Sequence, residues 1–538
     1  MGQVHEPTLS ATHVNHASPK CNMKIRVLFL TVVLTFMGAA LSTTQANSTT
    51  VIVCPPATAA GLRHFKDYGS SPFFLAAEHD KSTFALDVDR ASFDVAKLWL
   101  RNAERPPTGA IRPEEFVNAL PYRYPVPDQG LSLSLDGVRP HPFSDDDALG
   151  LLRVVMQAAD APARSPMSII ICLDRSGSMQ EYTGQPGQKR VKFELAHSLI
   201  QQLANNLQAE DRLGLVSYAD DSTVDLEAAS IATLAASLPA ALQSLRSEGS
   251  TDLFSGLHLT YMQAAREKEL WPDREVAIIL ISDGAANTGL TDHQQMLEQT
   301  ESFRDQGIRL STVGIGFDTL NDEVLEQLGD RGDGQYVFFG DPEDKERVLT
   351  TVMSHLLPVA LEARSQLVFE PAAVTAWRQV GFENRSLRDE AFSDDSVDAG
   401  EVGAGQSVTV LYEIELADPD PAGNVPESEQ IVATARLRWL DLEGQWSETS
   451  VILKRGDLQE DLVDEQFRAA AMMARWGQLI RREQEWDKAQ FDQAYEQLMM
   501  FAFSPETPED DPARAALRQQ MSTVRTMMAL DFGLGMGR

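Results

Sequence analysis

Between residues 167 and 357 short, largely apolar runs alternate with longer segments whose apolar residues recur at helical spacing. The runs fall at 168–173, 213–218, 276–282 and 310–315, with a weaker one at 336–339. Helical spacing marks 192–207, 231–245, 255–266, 293–305, 322–328 and 344–356. Continuous apolar runs suit strands buried on both faces, as in parallel sheets. Parallel neighbours need crossover connections, and helical crossovers cover both faces of the sheet. The expected fold is therefore α/β, with a doubly wound, mostly parallel, Rossmann-like sheet in three layers.

The first run, Ser168-Ile169-Ile170-Ile171-Cys172-Leu173, leads into Asp174-Arg175-Ser176-Gly177-Ser178-Met179. One carboxylate and two hydroxyls thus stand at the C-terminal end of a strand, where open α/β sheets bind ligands. Carboxylate and hydroxyl oxygens are hard donors. They suit Mg²⁺, Ca²⁺ or Mn²⁺ rather than a thiolate-seeking metal. Thr251, in Glu248-Gly249-Ser250-Thr251-Asp252-Leu253, precedes a helix, and Asp283, in Ile281-Ser282-Asp283-Gly284, follows an apolar strand. Loops at the C-terminal strand ends converge, so these distant residues can share one ion. Ser, Thr and Asp also favour helix caps and turns, and Asp252 reads as the cap of the following helix or as a residue supporting the ligands from behind.

The D-x-S-x-S pattern, a distant Thr and a distant Asp before Gly resemble the metal-ion-dependent adhesion site (MIDAS) of von Willebrand factor A (VWA) domains. The resemblance implies a metal set of Asp174, Ser176, Ser178, Thr251 and Asp283. It also implies an electrophilic ion whose coordination an acidic residue of a partner protein completes.

Flanking segments carry further likeness. Ser82-Thr83-Phe84-Ala85-Leu86-Asp87-Val88-Asp89, Arg112-Pro113-Glu114-Glu115-Phe116-Val117-Asn118 and Tyr122-Arg123-Tyr124-Pro125 precede the A domain. Val380-Gly381-Phe382-Glu383-Asn384-Arg385 and Asp398-Ala399-Gly400-Glu401-Val402-Gly403-Ala404-Gly405 follow it. Over roughly residues 80 to 500 the chain is similar to the bacterial YfbK-type VWA proteins, which are exported or lipid-anchored. It departs in showing no lipobox cysteine, and in having Ala285-Ala286-Asn287 where a more acidic segment is usual, which bears on partner preference.

The chain divides into an N-terminal extension and signal peptide (1–46), a linker (47–80), a small N-terminal α+β module (81–160) and a VWA domain (167–357). A β-sandwich-like C-terminal module (363–455) and a helical segment (458–538) complete it. In the N-terminal module Phe84, Leu86 and Val88 alternate as in a strand, and helices are expected over 94–103 and 112–120. In the C-terminal module short alternating runs fall at 366–369, 408–415, 431–439 and 449–453. Phe467, Ala470, Ala471 and Ala474 share a helix face, and another helix is expected over 489–501.

Lys20, Lys24 and Arg26 precede the apolar run 27–41, and Thr44-Gln45-Ala46 offers small residues for cleavage. The pattern points to a periplasmic or extracellular protein; left uncleaved, residues 27–41 would anchor the chain in the inner membrane. Acidic residues number 79 against 46 basic ones, a formal net charge of −33 that argues against binding nucleic acid or anionic lipid. Three cysteines make no disulfide framework, and Cys172 reads as a buried small hydrophobe. Arg331-Gly332-Asp333 spells an adhesion tripeptide, but its glycine-rich surroundings explain it as a tight loop. The charged group Glu383, Arg385, Arg388, Asp389 and Glu390 reads as local ion pairs, or as a surface touching the A domain. His197, His258 and His293 fall on expected helices, and no histidine is tied by pattern to Ser176 or Ser178. The expected function is non-catalytic: an exported, metal-dependent protein-binding protein, or an envelope scaffold in which the ion only stabilises the fold.

Overall fold

The computed structural model describes residues 65, 67–86, 90–101, 105–143, 148–160, 164–183, 191–284, 293–316, 320–383, 385–395, 397, 399–419, 425–459, 464–481 and 496. The export signal, Cys54, Ala285-Ala286-Asn287 and the helix expected over 489–501 lie outside them.

The central sheet has six strands. In spatial order they are Tyr336–Phe339, Ile308–Ile315, Val276–Ser282, Ser168–Asp174, Arg212–Tyr218 and Ser222–Ser230. All neighbours run parallel except the last pair, a hairpin. Along Ser168–Asp174 the side chains split between two cores, as a sheet covered on both faces requires. Ile169, Ile171 and Leu173 join the core under helices Lys192–Asn206, Ser237–Ser244 and Lys345–His355. Ile170 and Cys172 join the opposite core, under Leu253–Leu270, His293–Arg304 and Asp322–Arg331. Cys172 is a buried free thiol within it.

Two elements differ from expectation. The 231–245 helix is broken into Ile231–Leu234 and Ser237–Ser244. Pro239 lacks an amide donor and is tolerated only in the first turn of a new helix. Ser222–Ser230 is an antiparallel edge strand. Its half-exposed, polar sequence leaves no buried-strand signature to read.

The segments on either side of the A domain do not form separate sheets. Lys81–Ala85, from the N-terminal stretch, lies between Pro358–Phe369 and Ser386–Leu387 from the C-terminal one. That sheet continues through Ile431–Leu440 to Trp446–Lys454. In the second sheet Leu149–Ala158 pairs with Ser407–Leu416, and Leu131–Val138 pairs with Leu149–Ala158. Val374–Gln379 lies on the other side of Ser407–Leu416, and Phe74–Leu75, from the stretch read as linker, closes that edge. One core joins both sheets: Phe84, Leu152 and Val154 pack with Leu367, Trp377, Tyr412 and Leu437. The A domain is thus an insertion into a β-sandwich that the chain starts before it and finishes after it.

Helices close the junction. Ala91, Val95 and Leu98 of helix Ala91–Arg101 join the A-domain core. Lys97 Nζ lies 2.9 Å from Asp344 and Arg347 Nη2 lies 2.5 Å from Asp94, which ties this helix to the A domain's last one. Helix Glu465–Arg481 presents Phe467, Ala470, Ala471 and Ala474 to Val117 of helix Pro113–Asn118, with Val380 and Leu411 beneath.

The shared sandwich core makes a local prediction. Phe84 is fully buried and comes from a five-residue strand paired only with C-terminal elements. Phe84→Ala is expected to cost about 3–5 kcal/mol in denaturant unfolding. Its effect should appear in the signals of Trp377 and Trp439, which share that core in the distant C-terminal segment.

Candidate metal centre

Asp174 ends the third strand from one edge of the sheet, and the chain turns at once into Gly177–Gln180, a single 3-10 turn. The Ser176 amide donates to Asp174 Oδ1 at 2.8 Å, a local turn typical of Asp. It brings Ser176 Oγ to 3.1 Å from Ser178 Oγ.

Thr251 reaches the same place through backbone zippering. The Gly177 amide donates to Gly249 O at 2.9 Å, and the Glu248 amide donates to Arg175 O at 2.8 Å. On the other side the Asp252 amide donates to Ala219 O, at the end of the neighbouring strand. Thr251 is buried between these ties. Asp252 caps helix Leu253–Leu270 by accepting from the Ser255 amide at 3.1 Å, the capping role its sequence position suggests.

Asp283 follows the adjacent strand Val276–Ser282 and, like Asp174, has no exposed surface. Ser282 Oγ donates to Asp174 Oδ2 at 2.7 Å and accepts from the Gly284 amide at 2.9 Å, stitching the two strand ends together. Tyr218, at the end of the strand on the other side, donates its hydroxyl to the same Oδ2 at 3.3 Å.

Burial pushes the Asp174 carboxyl up to about 6, and the negative charge of Asp283 adds to the effect. Two like charges in a poorly solvated site disfavour ionisation. The hydrogen bonds from Ser176 and Ser282 pull the other way. A fully buried ammonium supplies countercharge: Lys192 Nζ lies 3.2 Å from Asp283 Oδ2 and 3.5 Å from Glu181. Its stem runs through space that only Gly316 leaves open. A Cβ there would stand 2.3 Å from Lys192 Cε, and the backbone φ of +83° also favours glycine.

The donor set fits a hard divalent cation. Among the described residues no cluster of three or more His, Cys, Asp or Glu side chains is placed to hold an ion. An ion here would therefore depend on neutral hydroxyls beside two carboxylates, with water filling the remaining positions. Tyr218, Ser282 and Lys192 belong to this centre and have no signature in the motif. Ser282 stands in the quoted Ile-Ser-Asp-Gly run, and Lys192 opens the helix after the metal loop; each also reads as an ordinary strand or helix residue. Arg331-Gly332-Asp333 stands apart from this centre, at the end of helix Asp322–Arg331, with Asp333 in the left-handed region (φ 48°) as a tight loop requires.

Family models match the A domain and both flanking stretches. A family model described as von Willebrand factor type A domain matches residues 168–352. One described as uncharacterized protein YfbK, C-terminal, matches 354–521, and one described as von Willebrand factor matches 60–149. The uncharacterized protein YfbK of Escherichia coli is 31% identical over 444 residues, covering 78% of this chain and 74% of that protein. The uncharacterized protein sll0103 of Synechocystis is 28% identical over 210 residues, covering 39% of this chain and 46% of its own length. Among solved structures, a von Willebrand factor type A protein from Catenulispora acidiphila aligns at a TM-score of 0.43 and 15% identity, covering 75% of this chain and 98% of that one.

The buried charges predict a specific response. Lys192→Met leaves Asp283 without its buried ammonium, and breaking such a pair costs about 3–5 kcal/mol. The variant should be destabilised without divalent ions and regain more of its melting temperature than the wild type when Mg²⁺ is added, as thermal-shift curves would show.

Proposed function

The chain belongs to the YfbK family of von Willebrand factor A proteins, and we propose that it is a metal-dependent protein-binding protein that works outside the cytoplasm. Asp174, Ser176, Ser178, Thr251 and Asp283 would hold Mg²⁺, or Ca²⁺ or Mn²⁺ in its place. The ion would supply an electrophilic point for a carboxylate of a partner protein. The observation that carries this reading is the pair of unexposed carboxylates, Asp174 and Asp283, on adjacent strand ends beside two converging hydroxyls. Burying two carboxylates is costly unless a cation compensates, and one ammonium balances only one of them.

The chain's own residues do the preparatory work. The Ser176 amide and the hydroxyls of Ser282 and Tyr218 orient Asp174. The 175–178 turn and the 247–251 loop, held together by backbone bonds, keep the two serines and Thr251 in one place. Neutral hydroxyl donors leave more positive charge on a bound ion than carboxylates would, which favours capture of an anionic group from outside. The reading assigns the chain no reaction. Export is supported by the basic, apolar and small-residue succession of its first 46 residues. Among the described residues, no helix is long and apolar enough to cross a membrane.

Calorimetric titration of the full chain with Mg²⁺, Ca²⁺ and Mn²⁺ tests the site. Saturable binding is expected in the wild type and its loss in Asp174→Ala; no heat or thermal shift with any of the three ions would refute the reading. The affinity should weaken as pH falls through about 6, because the Asp174 carboxyl then takes a proton that competes with the ion. Partner capture from envelope extract should be abolished by chelator and by Thr251→Ala. Capture insensitive to both would instead support a scaffold in which the ion is only structural.

A further inference from the structure

Arg112 lies outside the A domain, at the N-cap of helix Pro113–Asn118, yet its guanidinium is buried against A-domain carboxylates. Nη2 donates to Asp322 Oδ2 at 3.1 Å and to Glu326 Oε2 at 2.6 Å. Nη1 donates to Glu115 Oε1 at 2.8 Å. The arginine is fixed from behind as well. Its amide donates to Ser92 Oγ at 2.8 Å, and the Ser92 amide donates to Glu115 Oε2 at 2.7 Å. The whole group is therefore seated on helix Ala91–Arg101.

Asp322 and Glu326 occupy the first turns of helix Asp322–Arg331, whose N-cap is Asn321. The Asn321 amide donates to the backbone oxygen of Asp283 at 2.9 Å. Gly284, at φ +74°, presses on the same turn: a Cβ there would stand 2.8 Å from Asn321 O and 3.1 Å from Leu325 Cγ. Asp283 is thus held by a helix cap, and that helix is held by Arg112.

We infer that Arg112 is a positioning residue for the ion site: by gripping Asp322 and Glu326, it sets the helix cap that holds Asp283 in place. The inference rests on reading Asp283 as an ion ligand. Farther along the same helix, Arg385 pairs with Asp330 at 3.0 Å and adds a contact from the C-terminal segment. Arg112, by contrast, joins the first turns to the sandwich-side helices. One guanidinium facing Glu115, Asp322 and Glu326 leaves an excess of negative charge, so its loss cannot be absorbed locally. Without it the carboxylates repel one another, the helix end shifts, and the Asn321–Asp283 bond loosens.

The test uses the full chain and two readouts. One is hydrogen exchange at the Asn321 amide without ion; the other is Mg²⁺ affinity. Arg112→Met should speed Asn321 exchange and weaken Mg²⁺ binding by about tenfold or more, the usual scale for groups that orient a ligand. Arg112→Lys should recover part of both effects. Glu326→Gln, which keeps Arg112 paired with Asp322, gives a milder shift in the same direction and serves if Arg112→Met does not fold. Phe84→Ala, destabilised in the sandwich core, should leave both readouts unchanged. Unaltered Asn321 protection in Arg112→Met, or equal changes in Phe84→Ala, overturns the inference. If the wild type binds no ion, the reading of the site fails, while the exchange arm still decides whether Arg112 holds the loop.

Discussion

Two carboxylates with no exposed surface, at the ends of adjacent parallel strands, set the problem that the surrounding structure answers. Parallel strands put their C-terminal ends side by side, so Asp174 and Asp283 are brought together by the sheet rather than by local sequence. The surroundings then divide the electrostatic load. Ser282, Tyr218 and the Ser176 amide donate to Asp174. Lys192 faces Asp283. The two sides are unequal: among the described residues Asp174 receives neutral hydrogen bonds, whereas Asp283 faces a full positive charge. A divalent ion would therefore relieve Asp174 most, which fits its upward-shifted carboxyl.

The A domain does not hang from the rest of the chain. Its first strand follows Leu149–Ala158 after nine residues, and its last helix enters Pro358–Phe369 after two. Both bordering strands are central in their sheets, each with neighbours on both sides. The insertion is thus fixed at both ends in rigid β structure. The short N-terminal helices fill the angle between domain and sandwich, through apolar contacts and through ion pairs centred on Asp94 and Arg112.

Much of this was legible in the sequence where the signal is local. The five central strands that are continuously apolar stand where the pattern put them, and the Asp-x-Ser-x-Ser turn follows the first of them. Asp174, Ser176 and Ser178 meet through bonds that the motif's own spacing dictates. The sandwich was legible only as strand-rich segments. No local pattern reveals that Lys81–Ala85 lies between Ser386–Leu387 and Pro358–Phe369, because pairing across some 280 residues is decided by what other strands leave exposed. Lys192 and Arg112 were hidden for a related reason. A charged residue at a helix start reads as solvated unless the fold buries it, and both are buried by distant elements. The charged group around Arg385 lay between two readings, and its 3.0 Å pairing with Asp330 favours contact with the A domain.

The two buried charge clusters respond to pH in opposite senses. Glu114 and Glu326 are each pushed up to about 8, mainly by burial and then, for Glu114, by the neighbouring carboxylates Glu383 and Glu115. Arg112 pulls Glu326 down, but Asp330 and Asp322 oppose it. These values lie above the ordinary carboxyl value of 4.5. The stability such groups contribute is complete below about 4.5, declines as pH rises, and is gone above about 8. Binding of an ion would run the other way, because Asp174, raised to about 6, would have to release its proton first. A cation at Asp174 would therefore compete with protons in the same pH range over which ionisation of Glu326 weakens the helix end that contacts Asp283.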